Sequence, residues 1–293
     1  MKSAVLFLVF NRPDTTRQVF EAIRAAKPPR LYVAADGPRT NRVGEAERCN
    51  QVRQIATNID WPCELVTLFR DENMGCKNAV SSAISWFLEQ EEEGIILEDD
   101  CLPSQSFFQY CDELLCHYRF DTRIGMIAGT NMEKTESKKE NSYFFSRLVQ
   151  IWGWATWRRA WATYDKDMVR WHDFQSQNGF GNLGIPKKIA EYVTPSFDQV
   201  SAGKIDTWDY QWSFSMISAG MLTVVPTVNM ISNIGFGMDA THTTQGSDDS
   251  ASRKIKETIF PITHPQFVMS NENYDLTKVK SKNILSFIKR FIR

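Results

Sequence analysis

Residues 4 to 10 read AVLFLVF, an apolar run with no alternation. A strand with one wet face alternates apolar and polar side chains, so an unbroken run suggests cover on both faces and an inner parallel strand. Asn11, Arg12 and Pro13 stop the run. Asp14 is placed to cap a helix, and Val19, Phe20, Ile23 and Ala26 give that helix one apolar face before Pro28-Pro29 closes it. The pattern then repeats. Strands are expected at Leu31 to Ala35, Glu64 to Phe69 and Gly94 to Leu97, with helical stretches through Ile55 and Ile59 and over Val80 to Leu88.

Strand and helix thus alternate four times within the first hundred residues. This predicts an α/β fold, a mostly parallel mixed sheet flanked by helices, with ligands at the strand C-termini. Further on, Phe107 to Tyr118 reads as a helix, Ile124 to Ala128 and Leu222 to Val225 as strands, and a helix follows Asp206. Residues 133 to 142, the Gly-rich stretch around residue 180 and NMISNIGFGMDATHT read as loops. The twelve residues QIWGWATWRRAW suit either indoles packed on a helix beside the sheet or a ligand contact, with packing expected for Trp157 and Trp161 and contact for Gly153-Trp154. With no repeat and no low-complexity linker, one domain over residues 1–275 is expected, in two halves (1–130 and 131–275), followed by a basic tail (276–293).

Composition narrows the function classes. Lys and Arg number 34 against 35 Asp and Glu, a balance that gives no basis for nucleic-acid binding. The six cysteines form no close CxxC pair and have no histidines at zinc-site spacing, so they read as reduced and mostly buried, as in a cytoplasmic protein. No leader is expected at the start of the chain, and no apolar stretch is long enough to span a membrane.

The strand at Gly94 to Leu97 runs straight into Glu98, Asp99 and Asp100. Three adjacent carboxylates repel one another, and burying them unpaired is costly. A divalent cation such as Mg2+ or Mn2+ relieves this, because it prefers carboxylate and phosphate oxygens. Side-chain alternation puts Glu98 and Asp100 on one side and Asp99 on the other. The plain alternative is a solvated acidic turn, and the aliphatic run before the triplet weighs against it.

Taken in order, VFNRP after the first strand, AADG after the second, LEDD after the fourth and GWATWRRAW beyond resemble the GT-A glycosyltransferases. The nearest likeness is to the inverting N-acetylglucosaminyltransferase that begins hybrid and complex N-glycans, and to its bacterial relatives. It runs from about residue 3 to about residue 245. The resemblance implies a GT-A-like fold, a UDP-sugar donor bound with Mn2+ or Mg2+, and attack by an acceptor hydroxyl with inversion. It implies that Phe10, Asn11, Arg12 and Asp36 border the uridine, that Glu98 and Asp99 hold ribose and sugar hydroxyls, and that Asp100 holds the metal. It also implies a base at a helix start in a Trp-Asp-rich segment. DTWDYQW matches, giving Asp209 first and Asp206 second, with a helix cap as the plain role for Asp206.

Two features remain. His242 follows the Gly- and Asn-rich NIGFGMDATH loop, where it is placed either to reach phosphate or metal or simply to face solvent, whereas His117, His172 and His264 have plain structural readings, His172 in a loop. From Lys278 the chain reads KVKSKNILSFIKRFIR, basic with an apolar stripe, as in a helix lying on an anionic membrane surface. A cytoplasmic enzyme at the inner face of the membrane, using a glycan or lipid-linked glycan acceptor, is the combined expectation. The rivals are a nucleotidyltransferase making nucleotide sugars, whose Gly-rich basic signature VFNRPDTT lacks, and a non-catalytic glycan- or membrane-binding module.

Overall fold

The computed structural model describes residues 1–131, 140–235 and 254–281. Strand β1 (Ala4–Val9), helix α1 (Pro13–Ala26), β2 (Arg30–Ala35), α2 (Glu45–Ala56), β3 (Glu64–Phe69), α3 (Gly75–Gln90) and β4 (Glu93–Glu98) alternate as expected. There follow β5 (Cys101–Pro103), α4 (Gln105–His117), β6 (Ile124–Ala128), β7 (Tyr143–Ser146), β8 (Trp154–Trp157) and α5 (Arg158–Trp161). The remainder is α6 (Trp171–Ser176), α7 (Gly179–Asn182), α8 (Lys187–Ser201), α9 (Asp209–Ser218), β9 (Leu222–Pro226), β10 (Ile231–Asn233) and α10 (Glu272–Ser281).

The main sheet has the order β3-β2-β1-β4-β8-β6-β9-β7, and β10 pairs separately with β5. From β3 to β4 every neighbour is parallel; β8 runs antiparallel to both β4 and β6. β1 is the inner strand its unbroken apolar run called for. Val5, Phe7 and Val9 face one core with α1, α2 and α4, while Ala4, Leu6 and Leu8 face the other with α3, α5 and α9. A large apolar side chain contributes about 1.5–3 kcal/mol when fully buried, so cover on both faces fixes β1 firmly in the sheet. A third apolar cluster, around Trp171, Ile189, Phe197 and Phe214, holds the helices of the second half together.

Several elements differ from the sequence reading. Trp154 to Trp157 form a strand and only Arg158 to Trp161 a helical turn, because β8 fills the gap between β4 and β6. The stretch near residue 180 contains α7, His172 lies in α6, and the 229–243 segment contains β10. Helix α1 starts at Pro13 with Arg12 as its N-cap, so Asp14 sits in the first turn and does not cap it. Helix α10 crosses position 275/276, and Leu276 and Val279 pack on the third cluster, whereas residues 282–293 lie outside the described residues.

Gly153, at the entry to β8, is buried with φ +60°, and an added Cβ would lie 2.5 Å from Ile231 Cδ1 and 3.3 Å from Leu97 Cδ2. It is a packing position that lets β10 lie against the end of β4. Gly153→Ala is expected to lower the unfolding free energy by about 1–3 kcal/mol, from left-handed backbone strain and overpacking. Urea denaturation measures this, and an unchanged midpoint would contradict it.

Candidate functional site

The first half of the sheet changes direction between β1 and β4. From β1 the chain moves out to β2 and β3, then crosses back to place β4 on the other side of β1. A crevice opens at the strand C-termini of such a switch point, which is where open α/β sheets take ligands. Val9 pairs with Ala35 and Leu8 with Glu98, so Phe10 to Arg12, Asp36 and the acid triplet all emerge at this one edge.

The triplet is compensated from within the chain. Arg12 Nη2 donates to Asp99 Oδ1 at 2.5 Å and Nη1 donates to Asp100 Oδ2 at 2.9 Å. Asp99 Oδ2 also accepts the Phe10 N–H at 3.2 Å. Burial pulls the Arg12 pKa down, but Asp99 and Asp100 outweigh it and hold the guanidinium charged. The expected alternation holds: Asp99 is 2% exposed and turned into the protein, while Glu98 and Asp100 are half-buried. Asp99 therefore orients Arg12, with each of its oxygens accepting a hydrogen bond from the chain. Burial, then Asp100 and Asp99, push the Glu98 carboxyl up to about 8 against the opposing pull of Arg12, and Asp99 is also raised, by burial.

Two neighbouring walls draw on Glu45, Arg39, Asn73 and Met74, residues not singled out in the sequence. Glu45, fully buried, accepts from Asn11 Nδ2 at 2.8 Å, from the Arg39 N–H at 2.7 Å and from the Arg39 guanidinium, and Arg39 lies over the Phe10 ring at 5.4 Å. These bonds, the Arg39 side chain first, hold the Glu45 carboxyl down at about 2. Asp36 accepts from the N–H groups of Gly37 and Met74 and from Asn73 Nδ2, all within 3.1 Å. Its oxygens organise the turn after β3, so any contact with a base shares them with these donors.

Asp209 opens α9 and is half-buried; Thr207 Oγ1 donates to its carboxylate. Asp206 is exposed and lies 3.4 Å from where a Cβ on Gly75 would stand, and Trp208, not Asp206, is the helix N-cap. Cys76 stands in the first turn of α3. Its thiol pKa is raised by burial first and then by Glu98, Asp209, Asp206 and Asp36 in that order, so it stays protonated among four carboxylates. Asp209 also acts on Glu98.

Gly235 covers the triplet. A Cβ there would lie 2.4 Å from Asp100 Oδ2 and 2.6 Å from Arg12 Nη1, while the Ile234 N–H donates to the Asp100 carbonyl at 2.8 Å. The NIGFG segment thus begins over the acids, and only a residue without a side chain fits at 235. His242 lies outside the described residues. Of the Gly153-Trp154 pair, Trp154 is 1% exposed and stacks on Trp208 among Trp161 and Trp212. Arg158 pairs with Glu92, and Arg159 donates to the carbonyls of Tyr118, Arg119 and Ile124, at the other end of β4.

No protein-family model matches this chain, and no curated protein matches it in sequence. Among solved structures its backbone is similar to residues 1–349 of S. aureus TarS, at 9% identity and TM-score 0.41, over 79% of this chain and 59% of that one. It is also similar to an apo UDP-glucose pyrophosphorylase at 8% identity and TM-score 0.41, over 80% and 93%. Mouse xyloside xylosyltransferase 1 in its apo form gives 10% and 0.38, over 74% and 81%. These are likenesses of backbone over part of the chain and assign no residue a role.

The donor set bears on the divalent cation that the resemblance implies. Among the described residues no three His, Cys, Asp or Glu side chains gather as a metal cage. Asp100 is the accessible acid at the strand end, with Oδ2 on Arg12 and Oδ1 accepting from the Cys101 thiol at 3.4 Å. That set fits an ion of the Mg2+ type, which takes one or two carboxylates and completes its shell with substrate phosphates and water. Among the described residues, also, no helix is long and apolar enough to cross a membrane.

The raised Glu98 carboxyl sets a pH dependence. In the unfolded chain it loses its proton near the ordinary value of 4.5 and in the folded chain near 8. Its contribution to stability is therefore complete below about 4.5 and is lost as pH rises to about 8. Without nucleotide, the melting temperature of Glu98→Gln relative to wild type is expected to rise steadily between pH 4.5 and 8.5. A difference that stays constant over that range would contradict the shift.

Proposed function

We propose that this chain is a glycosyltransferase that moves a sugar from a UDP-sugar to a hydroxyl of a glycan or glycolipid, with inversion. The carrying observation is convergence: the ends of β1, β2 and β4, the turn into α3 and the start of α9 bring Phe10, Asn11, Arg12, Asp36, Glu98, Asp100 and Asp209 to one cleft at the switch point. Such an arrangement pairs a flat apolar ring and amide for a base with a guanidinium for phosphate and a separate carboxylate for a proton.

Within this reading Phe10 and Asn11 form the base wall, held by Glu45 and Arg39. Asp36 shapes that wall through the turn it organises. Arg12 faces the diphosphate, for which its fork-shaped donor set is suited. Glu98 receives a hydroxyl of the ribose or donor sugar. A Mn2+ or Mg2+ ion held by Asp100 and the diphosphate would offset charge on the leaving group.

Asp209 is the base. The acceptor oxygen bonds to the anomeric carbon from the face opposite the diphosphate, the bond from that carbon to the phosphate oxygen breaks with its electron pair leaving on UDP, and the acceptor proton passes to Asp209. Thr207 fixes the carboxylate for this role. Asp206 stands at the rim, better placed for acceptor contact. The basic segment from Lys278 onward supports peripheral association with an anionic membrane at the inner face, close to a lipid-linked acceptor.

The test is a panel of UDP-sugars, UDP-N-acetylglucosamine first, assayed for transfer or hydrolysis with Mn2+. Asp209→Asn is expected to cut turnover by about a hundredfold or more while UDP affinity, measured by calorimetry, stays nearly unchanged. Near-normal turnover in that variant would remove Asp209 from the role, and absence of UDP binding by the wild type would remove the reading.

A further inference from the structure

We propose, on the footing of the nucleotide-sugar reading above, that Arg12 is an internal counterion that withholds Asp100 from divalent cations until a diphosphate draws the guanidinium away. Nucleotide and metal would then enter this site as a coupled pair, with the nucleotide opening the metal position.

The three members of the triplet are not held alike. Asp99 has two anchors, the Arg12 guanidinium and the Phe10 N–H, and keeps the second when Arg12 turns. Asp100 is held by Arg12 through Oδ2 and by the Cys101 thiol, a weak donor, through Oδ1. Asp100 is therefore the acid that a movement of Arg12 releases. With Nη1 at 2.9 Å from Oδ2, a guanidinium and a metal ion cannot share that oxygen, since an ion of the Mg2+ type bonds carboxylate oxygen at about 2.0–2.1 Å and the two positive groups repel.

The pair is also enclosed. Gly235 lies against both Asp100 Oδ2 and Arg12 Nη1 with backbone alone, and the Ile234 N–H fixes the Asp100 main chain from the same segment. The Arg12 side chain is 21% exposed and that of Asp100 14%, so water competes little for either partner. Arg12 sends one arm to Asp99 and one to Asp100, and a diphosphate presents several oxygens to which either arm can turn, with more charge. Arg12 can pass from Asp100 to phosphate without losing a partner, and Asp100 is freed at the moment when phosphate oxygens arrive to complete an ion's shell. By linkage, whatever factor UDP adds to metal affinity, metal adds to UDP affinity.

The test follows free Mn2+ by electron paramagnetic resonance in the presence of the full chain, wild type and Arg12→Gln, with and without UDP. Wild type is expected to take up Mn2+ weakly alone and about tenfold or more tightly with UDP. Arg12→Gln is expected to bind Mn2+ alone about tenfold more tightly than wild type, with a smaller further gain from UDP. Arg12→Lys, which keeps one positive charge and loses the fork, falls between them, and it carries the comparison if circular dichroism shows the glutamine variant unfolded. Wild type binding Mn2+ as tightly without UDP as with it, or a folded Arg12 variant no better than wild type in Mn2+ alone, overturns the proposal and leaves the nucleotide-sugar reading standing. Calorimetry showing no UDP binding to wild type, with or without Mn2+, overturns both.

Discussion

The guanidinium of Arg12, set between Asp99 and Asp100, is the interaction on which this end of the molecule depends. It allows a strand buried on both faces to finish in three consecutive acids. Without it the triplet would bring uncompensated charge to the edge of a packed sheet, and breaking a buried pair of this kind costs about 3–5 kcal/mol. Its position follows from topology. Because β1 lies beside β4, the residue three past the end of one strand reaches the acids that follow the other. A single sheet order therefore supplies both the fold's crossover and the electrostatics of the cleft.

A site arranged in this way has an exchangeable cation. One positive side chain serves Asp99 and Asp100, Asp99 retains a second anchor, and Glu98 carries a raised pKa because burial and its acidic neighbours outweigh Arg12. On the proposed reading, a doubly charged leaving group would draw on that redirectable cation, and Asp209, at the start of α9, would serve as a separate proton acceptor.

Much of the first half was legible because β1, β2 and β4 are short, buried and punctuated. AVLFLVF, RLYVAA and GIILE each end in polar or turn residues, so the alternation of strand and helix and the acids at the strand end could be read directly. The second half was harder for a physical reason. Its aromatics pack among themselves across elements distant in sequence, and WATW belongs in a strand because β4 and β6 leave a gap there, which no local spacing reports. Helix α8 carries Ile189, Val193, Phe197 and Val200 on one stripe but contains Pro195 and was passed over. At the site, the acids were visible and their partners were not. That Arg12 meets Asp99 and Asp100, that Glu45 holds Asn11, and that Cys76 lies among four carboxylates are consequences of register and loop closure, and residue type alone does not carry them.

Anomalous diffraction at the manganese edge, from crystals grown with UDP and Mn2+, tests the central claim most directly. The account predicts a peak about 2.1 Å from an oxygen of Asp100, bridging to the diphosphate, with the Arg12 guanidinium turned from Asp100 onto phosphate. UDP bound in the cleft with Arg12 still on Asp100 and no peak beside that carboxylate, or UDP bound elsewhere on the molecule, would contradict it.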